Sequence, residues 1–162
     1  MSTDLSIDQI IAAVQDLDGS LVVAPAVGDA DFPELAWGDA FFYYAPDGQL
    51  PRTVQPYGTV VTKNYPDDTG SDLDPAGRWR VNVHVGRAAY RELTGGDGGA
   101  EHDGTGAAAI DPATPDVVLP HPVYGSAGWI AVVNPGPATA GTVLRLLRAA
   151  HEAARARFER RR

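Results

Sequence analysis

"RWRVNVHV", residues 78–85, alternates without a break. Successive side chains of a strand point to opposite faces, so Trp79, Val81, Val83 and Val85 fall on one side and Arg78, Arg80, Asn82 and His84 on the other. One apolar and one polar face is the pattern of an antiparallel sheet with helices on one side only; a parallel sheet, covered on both sides, reads as a continuous apolar run. Same-face side chains repeat about every 7 Å. Arg80, Asn82 and His84 therefore form a row able to floor a site for a polar ligand.

Working outward, "LVVAPAV" from 21, "AWGDAFFYYA" from 36 and "YGTVVTKN" from 57 read as preceding strands, separated by turn-forming "PDG" at 46–48 and "YPDDTGSD" at 65–72. A further strand is expected over about 128–134, ended by Pro135. Ser6 and Gln9 form a capping box, with Leu5 placed as a hydrophobic staple to Ile10, ahead of a helix from about 7 to 17. "RAAYREL", 87–93, reads as a short helix. From about Thr139, the stripe Val143, Leu146, Leu147, Ala150, Ala154 and Phe158 predicts a long amphipathic helix with an arginine-rich outer face. The order α-β-β-β-β-α-β-α predicts a single α+β domain over 1–162, an antiparallel sheet of about five strands with helices mainly on one face. "TGGDGGAEHDGTG" is too poor in apolar residues to order itself and predicts a mobile loop at about 94–109.

Composition narrows the function classes. With 162 residues, 44% hydrophobic and 21% charged, the chain is neither disordered nor membrane-like. There is no cysteine, which removes disulfides, thiolate chemistry and cysteine-ligated metals. "MSTDLSIDQ" lacks the basic region and apolar run of a signal peptide, so the expected location is the cytoplasm, with no membrane association. Net charge is -8, and "RARFERRR" at the end carries five of the 13 basic residues, leaving an acidic body that repels phosphate backbones.

Catalytic and cofactor motifs fail on spacing. "YGSAG" has Tyr124 where a nucleophile elbow needs glycine, and Ser126 reads as a turn residue. The glycine-rich stretch matches neither phosphate-binding fingerprint. His84, His102, His121 and His151 show no local metal-ligand spacing, so no metal and no cofactor are expected. Asp67, Asp68, Asp72 and Asp74 cluster in turns and read as turn and solubility residues. Lys63, the single lysine, closes a strand pattern and is a candidate anion anchor beside the polar row.

"LPHPVYGSAGWIAVVNP", 119–135, sets His121 between Pro120 and Pro122, which hold its backbone extended and stiff. Tyr124 and Trp129 follow as packing anchors or as the wall of a pocket. The expected function is non-catalytic binding of a small polar ligand or a protein partner, by a monomer or homodimer. Lys63, Arg80, Asn82 and His84 are the expected floor, and His121, Tyr124 and Trp129 the wall. The alternatives are nucleic-acid binding, disfavoured by the acidic body, and an enzyme using His121 as general base.

Three stretches, "AWGDAFFYY", "GTVVTKNYPDDTGSDLDPAGRWRVNVHVG" and "LPHPVYGSAGWIAVVNP", together resemble a bacterial family called domain of unknown function 6194. That resemblance implies no activity. More remotely, the element order is similar to that of the MmcQ/YjbR proteins, small α+β domains described as DNA-binding from a double-wing shape. It implies a fold and supplies no site residues, and the glycine-rich stretch departs from both families.

Overall fold

The structure is a computed structural model that describes residues 4–95 and 110–161. Among the described residues three α-helices, α1 (Ile7–Gln15), α2 (Arg87–Thr94) and α3 (Ala140–Arg161), accompany six strands. These are β1 (Ser20–Val23), β2 (Ala40–Tyr44), β3 (Gly58–Val61), β4 (Arg80–His84), β5 (Leu119–Pro120) and β6 (Trp129–Val133). They form one antiparallel sheet in the order β1-β2-β3-β4-β6-β5. The fold is α+β, as the alternation implies.

The sixth strand is β5. Leu119 and Pro120 pair with Ala131 and Ile130, a two-residue strand too short to leave a periodic signal. The other strands are shorter than the apolar runs around them. "AWGDAFFYYA" opens on the last residue of a 3-10 turn, Glu34–Ala36, and Asp39 is buried at the strand entrance, so β2 starts only at Ala40. The glycine-rich loop expected at about 94–109 lies, from residue 96 on, outside the described residues, as does His102. Up to that point, α2 runs to Thr94 and Gly95 caps it in the left-handed conformation.

The capping box of α1 is complete: Gln9 N–H donates to the Ser6 hydroxyl at 3.0 Å, and Ser6 N–H to the Gln9 side chain at 2.9 Å. Its apolar stripe, through Ile10 and Val14, packs on the same sheet face as Val143, Leu146, Leu147 and Ala150 of α3 and Tyr90 of α2. Phe42, Val60, Val81, Val83, Ile130 and Val132 meet them from the sheet. A fully buried side chain of this kind contributes roughly 1.5–3 kcal/mol. Gly58 permits the close seat of α3, because a Cβ there would lie 2.9 Å from Leu147 and 3.3 Å from the Asn82 carbonyl.

The opposite face is not a bare solvated surface. Residues 64–77 fold back over one end of it, burying Leu73 against Val61 and Val133 with Tyr65 alongside. Side chains zip this segment: Leu73 N–H donates to Asn64 at 2.8 Å, and Asn64 N–H to Asp74 at 3.0 Å. Arg78 donates to the carbonyls of Ser71, Asp72 and Ala113. Among the described residues, no helix is long and apolar enough to cross a membrane.

Candidate functional site

Between the back-folded segment and the "PHPVYG" turn, the second sheet face opens into a cleft of about 930 Å³. Arg80, Asn82 and His84 of β4 lie on its floor with Thr59 of β3 and Phe41 and Tyr43 of β2. His121, Tyr124, Ala127 and Trp129 form one wall, Tyr65, Asp67 and Asp68 another, and residues 54–57 with Arg157 close the far end. Alternation along β4 thus delivers three polar side chains to one concavity, while β6 sets Trp129 directly opposite His84.

At the Arg80 end the buried polar groups are engaged with one another. Arg80 is 2% exposed; its Nε donates to Asn82 at 2.7 Å, Nη1 to Asp68 at 3.1 Å and Ser71 at 3.0 Å, and Nη2 to Asp68 at 2.5 Å. Asn82 in turn donates to the Thr59 hydroxyl at 2.9 Å. Burial acts on Asp68 to raise its carboxyl pKa, but hydrogen bonding to Arg80 and the charges of Arg80 and His121 outweigh it, and the net direction is down. A buried arginine needs such a partner, since an unpaired charge in the interior costs several kcal/mol.

His121 is positioned by its own turn. Its Nδ1 accepts two backbone N–H bonds, from Val123 and Tyr124, both at 3.0 Å, while its backbone N–H donates to the Trp129 carbonyl at 3.1 Å. Two amides on Nδ1 place the proton of the neutral ring on Nε2. That atom faces Arg80 Nη2 at 3.2 Å and Asp68 at 3.8 Å. The first is therefore a contact between two N–H groups, held together by the carboxylate beside them. Burial, then the Arg80 charge, pushes the imidazole down to about 4 against the pull of Asp68. The ring is neutral at physiological pH.

Trp129 stands between the two histidines, its centroid 5.6 Å from His84 and 6.5 Å from His121. His84 is hydrogen-bonded to the Ala127 carbonyl; burial and Arg157 lower its pKa more than that bond raises it. Gly128 makes this junction possible. Its φ is +88°, and a Cβ there would meet the Gly86 backbone at 3.1–3.3 Å. Val85 and Gly86 both donate to its carbonyl, which locks the end of β4 onto the start of β6.

Lys63 does not line the cleft. Its Nζ donates to the Leu35 and Trp37 carbonyls at 2.7 and 2.9 Å and pairs with Asp39 at 3.0 Å, consuming the ammonium in a structural knot. Asp39 also accepts from the Thr62 amide and hydroxyl and from the Tyr65 phenol. Burial, then Asp39, raises the Tyr65 pKa, so Tyr65 enters the cleft wall as a neutral phenol. His151 is a core residue: its Nδ1 meets the Tyr57 hydroxyl at 2.8 Å and its Nε2 the Asp18 carbonyl at 2.7 Å. Asp68, read from sequence as a turn acid, is instead the counter-ion of Arg80. Thr59, Phe41, Tyr43, Tyr65 and Arg157 also line the site without any motif announcing them. The signal that could have found Phe41, Tyr43 and Thr59 is strand alternation applied to β2 and β3.

A family model for a family of unknown function, DUF6194, matches residues 5–162. The chain belongs to this family. Its match spans β1 to α3, so every element that builds the DUF6194 cleft falls within it. No curated protein and no solved structure matches the chain. The remote likeness to MmcQ/YjbR proteins thus gains no support beyond the shared α+β class. Among the described residues of this DUF6194 protein, no three His, Asp or Glu side chains are grouped to hold a metal ion.

Proposed function

We propose that this protein is a binding module for a small molecule held in the cleft on the polar sheet face. The observation that carries the reading is a concavity of ligand size, about 930 Å³, lined by aromatic rings with a few fixed polar groups. The concavity favours a small molecule over a protein partner, which would need a broader surface. The knot of Arg80, Asp68, Asn82 and His121 works as a preformed floor whose hydrogen bonds are already made. A ligand there meets a rigid surface and costs little reorganisation.

His121 as a general base is the weaker reading. Its Nδ1 lone pair is taken by two backbone amides, and Nε2 carries the proton next to Arg80. Nucleic-acid binding has one favourable observation, that Arg157 of the arginine-rich α3 reaches the cleft. At the opposite end Asp68 neutralises Arg80 and Asp67 is an exposed carboxylate, so no basic strip continues there to meet a phosphate backbone.

The test is a thermal-shift screen over polar and aromatic metabolites, repeated on Ala127→Trp, a substitution at an exposed rim position that fills the mouth. A ligand at a hundredfold excess over its Kd should raise Tm by roughly 5–10 °C in the wild type and much less in the variant. If every stabilising ligand acts equally on both proteins, the cleft is not the site.

A further inference from the structure

We propose that the cleft selects a small organic anion, a carboxylate on a flat apolar body, with Arg157 holding the charge and Trp129, Tyr43 and Phe41 the body. The inference rests on the cleft being the binding site and adds the chemistry of what enters it.

Two guanidinium groups line the cleft, and they differ in what they can still bind. Arg80 is saturated by Asp68, Ser71 and Asn82, and its remaining Nη2 hydrogen faces His121. A ligand anion at that end would compete with a bidentate carboxylate already in place. Arg157 has no ion-pair partner among the described residues, although it is only partly exposed. Its neighbour on α3, Arg155, shows the contrast: it is bridged to Glu152 at 3.5 Å and to Glu159 at 3.2 Å. A half-buried, unpaired arginine at the end of a ligand-sized cleft offers two parallel N–H donors to an incoming carboxylate.

The surroundings of Arg157 fit an anion rather than a cation. Close by, His84 is neutral: its ring is hydrogen-bonded to the Ala127 carbonyl, and burial with Arg157 itself disfavours a second positive charge. The acidic residues of the lining, Asp67 and Asp68, belong to the segment at the Arg80 end. Arg80 and His84 lie four residues apart on β4, roughly 13 Å. That span takes a fused bicyclic ring with a carboxylate at one end. Phe41 and Tyr43 line this floor and Trp129 its wall, so the flat body lies against aromatic surface.

Three probes on one aromatic body separate the possibilities: 2-naphthoate, 2-naphthamide and 2-naphthylmethylammonium, titrated into the full chain while the Trp129 indole N–H is followed by NMR. Trp129→Phe identifies that resonance. The carboxylate is expected to bind at least about tenfold tighter than the amide, as a charge-assisted pair implies. Arg157→Gln, on a helix surface where glutamine is well tolerated, should erase that preference and leave amide binding unchanged. If the amide or ammonium binds as tightly while shifting Trp129, anion selectivity is wrong and the cleft reading stands. A preference that survives in Arg157→Gln overturns Arg157 as the anchor. If no probe shifts Trp129 up to millimolar concentration, the aryl-anion proposal falls; the Ala127→Trp screen then decides the cleft reading separately.

Discussion

Asp68 contacts Arg80 through both carboxylate oxygens, and the two side chains are only 11% and 2% exposed. Replacing Asp68 with asparagine leaves the guanidinium buried without its charge partner. That should cost about 3–5 kcal/mol in urea unfolding, whereas Asp68→Leu combined with Arg80→Met should cost less than Asp68→Asn alone. The depressed Asp68 pKa makes this contribution fully present above the ordinary aspartate value of 3.8, and it disappears as pH falls through the lower folded value. His121 titrates in a different window. The unfolded ring takes a proton near 6.5 and the folded one only near 4, so acidification between those values favours the unfolded chain. The wild type should lose stability across that interval by about 2–3 kcal/mol more than His121→Gln does, measured as the difference in urea midpoints against pH. A variant with the same slope as wild type would show that His121 is not held neutral.

Whole elements are placed by a few close approaches. Gly58 lets α3 sit against β3, since a Cβ would press on Leu147 and Phe42 and on the Asn82 carbonyl. Gly58→Ala should destabilise by about 1–3 kcal/mol through overpacking, read from the shift in urea midpoint at unchanged slope. At the N-terminus of α3, Asp116 accepts from the amides of Gly136, Ala138 and Thr139 and from the Thr139 hydroxyl, tying the chain before β5 to the helix after β6. The helices carry their own 3.6 period and β4 its period of 2, and the other four longer strands are legible as apolar or aromatic runs bounded by turn residues. β5 is not legible: two residues hold no period, and only β6 beside them defines the strand.

Across the molecule, the sheet order leaves β1 at one edge and a proline-bearing strand at the other, with β4 between β3 and β6. Amide hydrogen exchange should be slowest in β3, β4 and β6, and faster by orders of magnitude for the outward-facing amides of β1. The same order sets Arg80, Asn82 and His84 in a row along the cleft floor, from the Asp68 end toward Arg157.

Strand alternation by itself determined that Arg80, Asn82 and His84 share a face, and the prolines around His121 determined that its backbone is stiff. Both are local properties, set by stereochemistry within a few residues. That Arg80 meets His121 across 41 positions, that Asp68 leaves its turn to become a buried counter-ion, and that Lys63 turns away to Asp39 were decided only by the tertiary structure. The first two follow from how residues 64–77 and 119–129 fold over the sheet, and the third from the turn at 34–39 beside the end of β3. A carboxylate in a turn reads the same whether it ends in water or on a buried arginine.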